Sequence, residues 1–208
     1  MLEHLIFREY TPGVGLMSTS GIFYLNIPKN ASTYLSNLLE KNGWEQFDCT
    51  ESRITQAIVV LRDPVERWIS GFATYAARWL LSSGYGGDHF KQDYNQLVER
   101  IIFDQIVFDD HTTEQVQYIH QLPNVPVTYF KLNHDLGNNL EKFLAQDLGL
   151  NNPIPANTVE ENYDTKTIAQ HLRYRINQDP LLHAKIIDRY QKDYQLIRSA
   201  NFYYYDPR

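Results

Sequence analysis

The sequence predicts an α/β fold: one domain over residues 1–208, with a central parallel sheet flanked by helices. Three observations carry that expectation. Short runs rich in β-branched and aromatic residues, "GIFYLNI" (21–27), "AIVVL" (57–61) and "VPVTYF" (125–130), read as buried strands. Segments of helical period lie between and after them. Strand–helix–strand order favours parallel pairing through right-handed crossovers. A length of 208 residues suits one domain with a sizeable core.

The elements follow in order. "GIFYLNI" stands between a glycine and a proline. From Ser32 to Asn42, Tyr34, Leu35, Leu38 and Leu39 fall at helical spacing, and Gly43 supplies a stop. The second strand leads into "RDPVERWISGFATYAARWLL", with Asp63 as N-cap and Pro64 at the first helical position. Val65, Trp68, Ile69 and Phe72 form its apolar stripe. A glycine-rich loop, "SSGYGGDHF" (82–90), comes next. Helical patterns return at 93–103 and 113–121, then, after the third strand, at 134–147, 165–176 and 180–199. "NNPIPANTVEENYD" (151–164) reads as a loop inside the domain.

Composition narrows the function classes. The formal charge of −6 argues against general nucleic-acid binding but leaves room for a local basic pocket. One cysteine, Cys49, excludes an internal disulfide and points to a reducing, cytoplasmic setting. "MLEHLIFREYTPG" mixes acidic and basic residues into its apolar stretch, unlike a signal peptide. No apolar run approaches the roughly 20 residues of a membrane span.

Parallel strands open their carboxyl ends on one sheet edge, so Lys29 after the first strand and Arg62 after the second converge there. Helix N-termini add unpaired N–H groups and partial positive charge, which suits an anion. In "PKNAST", Lys29 offers charge and Ser32 and Thr33 offer hydroxyl donors. The plainer alternative is an ordinary helix cap beside a solvated lysine. The Walker A spacing is absent.

Together, "IPKNAST" and "VLRDPVERWISGF" resemble the two cofactor-binding motifs of sulfotransferases, which use 3′-phosphoadenosine 5′-phosphosulfate (PAPS). The resemblance implies a P-loop-like sulfotransferase fold. It assigns Lys29, Asn30, Ala31, Ser32 and Thr33 to the 5′-phosphosulfate, and Arg62 and Ser70, eight residues later, to the 3′-phosphate. Many members carry glycine where Ala31 stands. "DDHTTEQVQYI" looks like the His-x-x-x-Gln segment of carbohydrate sulfotransferases, with His111 and Gln115 in the matching places. "VTYFKLNHDLGNNLEKFL" and "IIDRYQKDYQLI" resemble the family's later strand and closing Tyr-x-x-Asp-Tyr helix. The similarity runs over about residues 20–200.

On this reading, Lys29 neutralises charge at the sulfuryl centre, as transfer to a hydroxyl requires. Arg62 presents two N–H donors to a phosphate. No metal is expected, and the sequence shows no tight His/Cys/Asp cluster. A histidine suits the general base, since it titrates near neutrality; among the seven histidines, the resemblance at its segment singles out His111. A structural alternative stands beside it: Thr112 and Gln115 have capping-box spacing. Glu66, Asp63 and His89 are the other bases considered, with Asp63 expected to cap and Glu66 or Arg67 to form surface or cofactor-supporting pairs. The acceptor is expected to be a free hydroxyl, from the branch resembled on a saccharide. Tyr75, Trp79, Tyr85 and Phe90 follow the second motif, where an acceptor cleft would form; Tyr75 and Trp79 suit core packing more, and Tyr85, beside glycines, is the better acceptor candidate. Two other classes remain open: a P-loop-like kinase, and an inactive nucleotide-binding module.

Overall fold

The computed structural model describes residues 13–82, 106–107, 109–148 and 163–205, with 78–82, 145–148 and 163–164 described by backbone alone. The helical pattern at 93–103, the glycine-rich loop after Ser82 with Tyr85, His89 and Phe90, the side chain of Trp79 and residues 151–162 lie outside that description. The chain is α/β, and its contacts divide it into two compact units.

One unit carries the sheet and draws its described residues from Thr11–Asp63, Glu114–Val159 and Lys192–Arg208. Its strands are β1 (Val14–Met17), β2 (Ile22–Leu25), β3 (Glu45–Asp48), β4 (Gln56–Leu61) and β5 (Val127–Lys131), in the order β3-β1-β2-β4-β5. The three expected strands are β2, β4 and β5, and they pair in parallel, Tyr24 against Ile58 and Ile58 against Thr128. The all-parallel expectation needs correction, because β1 pairs antiparallel with both β2 and β3 and makes the sheet mixed. A tight turn joins β1 to β2, with Ser18 N–H donating to the Ile22 carbonyl at 2.9 Å. Both added strands are four residues long; β1 buries Gly15, Leu16 and Met17, whereas β3, "EQFD", is largely exposed.

The helices α1 (Ser32–Lys41), α3 (Gln115–Ile119), α4 (Leu136–Leu148) and α7 (Gln191–Ser199) belong to this unit, Gln191 itself being the last residue of the other. Leu35, Leu38 and Leu39 of α1, with Leu140, Phe143 and Leu144 of α4, pack with Tyr24, Ile58, Val60 and Phe130 of the strands. Their alternates Phe23, Leu25, Val59 and Leu61 are equally buried, as the inner strands of such a sheet require.

The other unit is helical, within Pro64–Thr113 and Glu160–Gln191. It contains α2 (Pro64–Ser82), α5 (Tyr163–Gln178) and α6 (Pro180–Arg189). Trp68, Ile69, Phe72, Ala73 and Ala76 of α2 pack with Ile168, Leu172 and Ile176 of α5 and with Leu182 and Ile186 of α6. Asp179 caps α6, accepting from Leu181 N–H at 3.1 Å and Leu182 N–H at 3.0 Å, with Pro180 at the first position. The expected single helix over 180–199 is two helices. Tyr190 ends the first at φ −103°, ψ 24°. Its hydroxyl is engaged by the Thr112 carbonyl within the helical unit, and Asp193 of the second helix accepts from the N–H groups that open α3 within the sheet unit.

Candidate functional site

β2 and β4 are adjacent and parallel, so the turn after β2 and the residue after β4 lie on one edge of the sheet. There Arg62 Nη1 donates to the Lys29 carbonyl at 3.0 Å. The turn itself is unusual. Lys29 has φ 70° and Ala31 has φ 62°, both in the left-handed region. Such backbone costs a non-glycine residue about 1–2 kcal/mol, and it persists only where the surroundings enforce it. Ala31 is also the N-cap of α1, and no side chain caps the helix. The ordinary-cap alternative therefore fails: Ser32 and Thr33 stand inside the first turn, and neither hydroxyl bonds to another described residue. First-turn N–H groups have no intrahelical acceptor, and a left-handed residue leading into helical ones turns successive N–H groups toward one concave side.

A buried polar cluster fixes this turn. Asn30 is wholly buried, and its amide nitrogen donates to the Val60 carbonyl and to Gln115 Oε1, both at 2.7 Å. Gln115 Oε1 also accepts from Arg62 N–H at 3.0 Å, while Gln115 Nε2 donates to the Arg62 carbonyl at 2.9 Å. One amide thus joins both segments. Behind it, the buried Asp193 carboxylate accepts from Gln115 N–H and Val116 N–H, each at 2.9 Å, and from Gln115 Nε2 at 3.3 Å. The capping-box alternative also fails: Glu114 is the N-cap of α3 and makes no side-chain cap bond, and Asp193 supplies the acceptor from 78 residues away.

In the helical unit, His111 lies in the turn before Thr113. Its Nδ1 is 2.9 Å from Asp109 Oδ2 and 2.9 Å from Asp110 Oδ1. Carboxylates only accept, so Nδ1 carries the proton and Nε2 is the nitrogen able to accept one. Burial alone would push the His111 pKa down; the hydrogen bonds and charges of Asp109 and Asp110 outweigh it and hold it above the usual histidine value. The same bond with His111 holds the Asp110 carboxyl below its ordinary range. Three potential ligand atoms of Asp109, Asp110 and His111 thus lie within 4.8 Å of one another, a compactness the sequence reading did not anticipate. Both carboxylates are engaged with the imidazole ring.

The His111 turn is held from several sides. Buried Arg67 donates to the carbonyls of Thr113 and, at 3.2 Å, Asp110. The Tyr190 hydroxyl donates to the Thr112 carbonyl. Gly71 of α2 lies against the turn so closely that a Cβ there would meet the His111 carbonyl oxygen at 2.5 Å. Arg67 is therefore an internal brace and not a surface or cofactor pair. Glu66 does form a surface pair, with Arg173 Nη2 at 2.8 Å. Asp63 accepts from the Tyr194 hydroxyl at 3.4 Å. Ser70 is partly exposed, and its carbonyl accepts from Thr74 Oγ1 at 2.9 Å. Half-buried Tyr75 packs on the helical core, and burial with the nearby Asp109 charge pushes its phenol up to about 12.

Lys29, Asn30, Ala31, Ser32, Thr33 and Arg62 thus occur together in the sheet unit, and Ser70 and His111 belong to the helical unit. Sequence reasoning did not foresee the hub formed by Gln115 and Asp193. The only signal was their place in the His-x-x-x-Gln and Tyr-x-x-Asp-Tyr segments. Comparison with protein-family models, with curated proteins and with solved structures finds no match.

Proposed function

We propose that this protein is a sulfotransferase with a P-loop-like fold, moving a sulfuryl group from PAPS to an acceptor hydroxyl, with a saccharide as the favoured class. The observation that carries the proposal is the turn after β2. Two strained non-glycine residues flank a wholly buried asparagine, and a cation on the neighbouring strand end is bonded into the same turn. Strain of this kind is retained where a backbone must hold a specific shape, and phosphate recognition is such a demand.

The residues suit the donor. The first-turn amides and the hydroxyls of Ser32 and Thr33 are donors of the kind that phosphate oxygens accept from. The Lys29 ammonium supplies charge where the bridging oxygen gains it as the S–O bond breaks. Arg62 supplies planar donors for a second phosphate. PAPS supplies the activated sulfuryl group, and the chain binds, orients and neutralises. Ser70 as a 3′-phosphate ligand and His111 as proton acceptor follow from the motif correspondence. For His111, the ring geometry adds a reason: Asp109 and Asp110 fix the tautomer that leaves Nε2 free of a proton, as orienting carboxylates do for catalytic histidines.

The test is a transfer assay with radiolabelled PAPS against saccharide, lipid and small-alcohol acceptors, run with wild type and Lys29→Ala. Label transfer that collapses in Lys29→Ala at saturating PAPS is the expected result, because only an interaction that strengthens in the transition state lowers turnover at saturation. Normal turnover in that variant removes the electrostatic role of Lys29. Absence of binding to 3′-phosphoadenosine 5′-phosphate removes the donor assignment altogether.

A further inference from the structure

We infer that Gln115 is a positioning residue that sets the shape of the Lys29–Thr33 turn, and that Asp193 sets the orientation of Gln115. The part of this inference that concerns PAPS rests on the function proposed above; the part that concerns the turn does not.

The argument is one of donors and acceptors. A glutamine amide offers an acceptor at one end and two donors at the other. Here the acceptor end receives Asn30 Nδ2 and Arg62 N–H, and the donor end faces the Arg62 carbonyl and Asp193 Oδ2. Each end therefore meets only complementary groups. A flipped amide would bring nitrogen against two donors and oxygen against two acceptors. Asp193 removes the ambiguity, since a carboxylate cannot donate. The same carboxylate also takes the first N–H groups of α3 and so fixes the backbone from which Gln115 projects.

The consequence reaches the turn through Asn30. Its side chain ties the turn to the Val60 carbonyl of β4 and to Gln115. Asn30 stands between the two left-handed residues, Lys29 and Ala31. Loss of its partner leaves a buried donor without an acceptor and releases the restraint that holds those residues in a costly conformation. Gln115 and Asp193 are all but excluded from solvent, so they act on a ligand through Asn30 and Arg62.

The test uses Gln115→Glu, Asp193→Asn and the double variant in the full chain. In Gln115→Glu, oxygen replaces the nitrogen that faced the Arg62 carbonyl and Asp193. In the double variant, the amide introduced at position 193 can donate to the new carboxylate and relieve one of those two conflicts, while giving up the bond that Asp193 Oδ2 accepts from the residue-115 N–H, so recovery is partial. The first readout needs no cofactor: hydrogen exchange at Asn30 N–H, bonded to the Ile27 carbonyl at 3.2 Å, and at Leu35 N–H, bonded to the Ala31 carbonyl at 2.9 Å. Ala57 N–H of β4, bonded to the Pro126 carbonyl at 2.9 Å, is the reference within the sheet. Gln115→Glu is expected to accelerate exchange at Asn30 and Leu35 at least tenfold relative to Ala57, with partial recovery in the double variant. The second readout is calorimetric affinity for 3′-phosphoadenosine 5′-phosphate, expected to weaken at least tenfold in Gln115→Glu and to recover in parallel. A folded Gln115→Glu with wild-type exchange at Asn30 and Leu35 overturns the inference, as does a double variant worse than either parent. If Gln115→Glu does not fold, Asp193→Asn is read by the same criterion, and unchanged exchange at the turn overturns the inference. Wild type that fails to bind the nucleotide removes the function proposal, and the exchange measurement still decides the role of Gln115.

Discussion

Arg62 donates from its guanidinium to the Lys29 carbonyl at 3.0 Å, while its own N–H and carbonyl are both held by the Gln115 amide. The strand-end arginine is thus part of the wall that shapes the turn after β2, as well as a charge beside it. A residue assigned only to a distant phosphate would have no need of that bond.

This dual position gives the first prediction. Arg62→Ala should weaken 3′-phosphoadenosine 5′-phosphate binding by about tenfold or more, since a charge-assisted contact contributes on the order of 1.5–3 kcal/mol. Arg62→Lys should recover only part of it, because a lysine has no planar fork to bond both a carbonyl and a phosphate. Calorimetry with AMP as control checks the assignment. Wild type that binds both nucleotides equally would take Arg62 out of the 3′-phosphate site.

The second prediction uses the strained turn. Ala31→Gly removes a left-handed penalty of about 1–2 kcal/mol and adds unfolded-state entropy of about 0.4–1 kcal/mol. The difference is about 0–1.6 kcal/mol in favour of glycine, so the denaturation midpoint should stay level or rise. Ala31→Val, which adds a β-branch at φ 62°, should lower it clearly. Equal loss in both variants would mean that Ala31 is constrained by packing and not by backbone geometry.

Much of this turn was legible in the sequence, and the reason is local. A strand, a proline and a helical stripe within seventeen residues put Lys29, Ser32 and Thr33 at a strand–helix junction, and short-range chemistry sets that junction. The parallel pairing of β2, β4 and β5 was legible for the same reason: β2 and β4 are buried apolar runs, and β5 carries the β-branched and aromatic residues of a strand although only Phe130 is buried. β3 was not, because "EQFD" buries almost nothing and pairs only because β1 presents an edge. The hub was hidden for a different reason. Gln115 looks like a capping-box residue to any local rule, and only contact with Asn30, 85 positions away, and Asp193, 78 positions away, gives it another task. Arg67 likewise reads as a surface residue on a helix until the turn carrying His111 packs over it.

Gly71 supplies the third prediction. A methyl group there would lie 2.5 Å from the His111 carbonyl oxygen and 2.9 Å from its carbonyl carbon, and backbone is what would have to move. Gly71→Ala should destabilise the protein by about 1–3 kcal/mol, the usual cost of overpacking. Mid-helix glycine otherwise favours the opposite sign, since alanine is the better helix former by about 1 kcal/mol. A raised melting temperature in Gly71→Ala would therefore show that the turn yields easily.

The fourth prediction concerns His111 and its two carboxylates. A general base acts in its neutral form, so turnover should rise with pH through the ionisation of His111. Asp109 and Asp110 hold that ionisation above the ordinary 6.5, and the midpoint of the rise should lie above 6.5 as well. Asp109→Asn removes one of the charges and should move the midpoint down. His111→Ala should abolish the dependence and most transfer, leaving nucleotide affinity nearly intact. Stability carries the opposite sign. A pKa raised in the folded state gives stabilisation that is complete below the unfolded value of about 6.5 and is lost as pH rises through the folded value. Wild type should therefore lose part of its stability over the same interval in which it gains activity, whereas His111→Ala should show neither change. Melting temperature and transfer rate measured across that interval on both proteins separate the roles. If His111→Ala abolishes the pH-dependent loss of stability but keeps wild-type turnover, His111 is a structural ion-pair partner and the base lies elsewhere, with Glu66 and His89 the next residues to substitute.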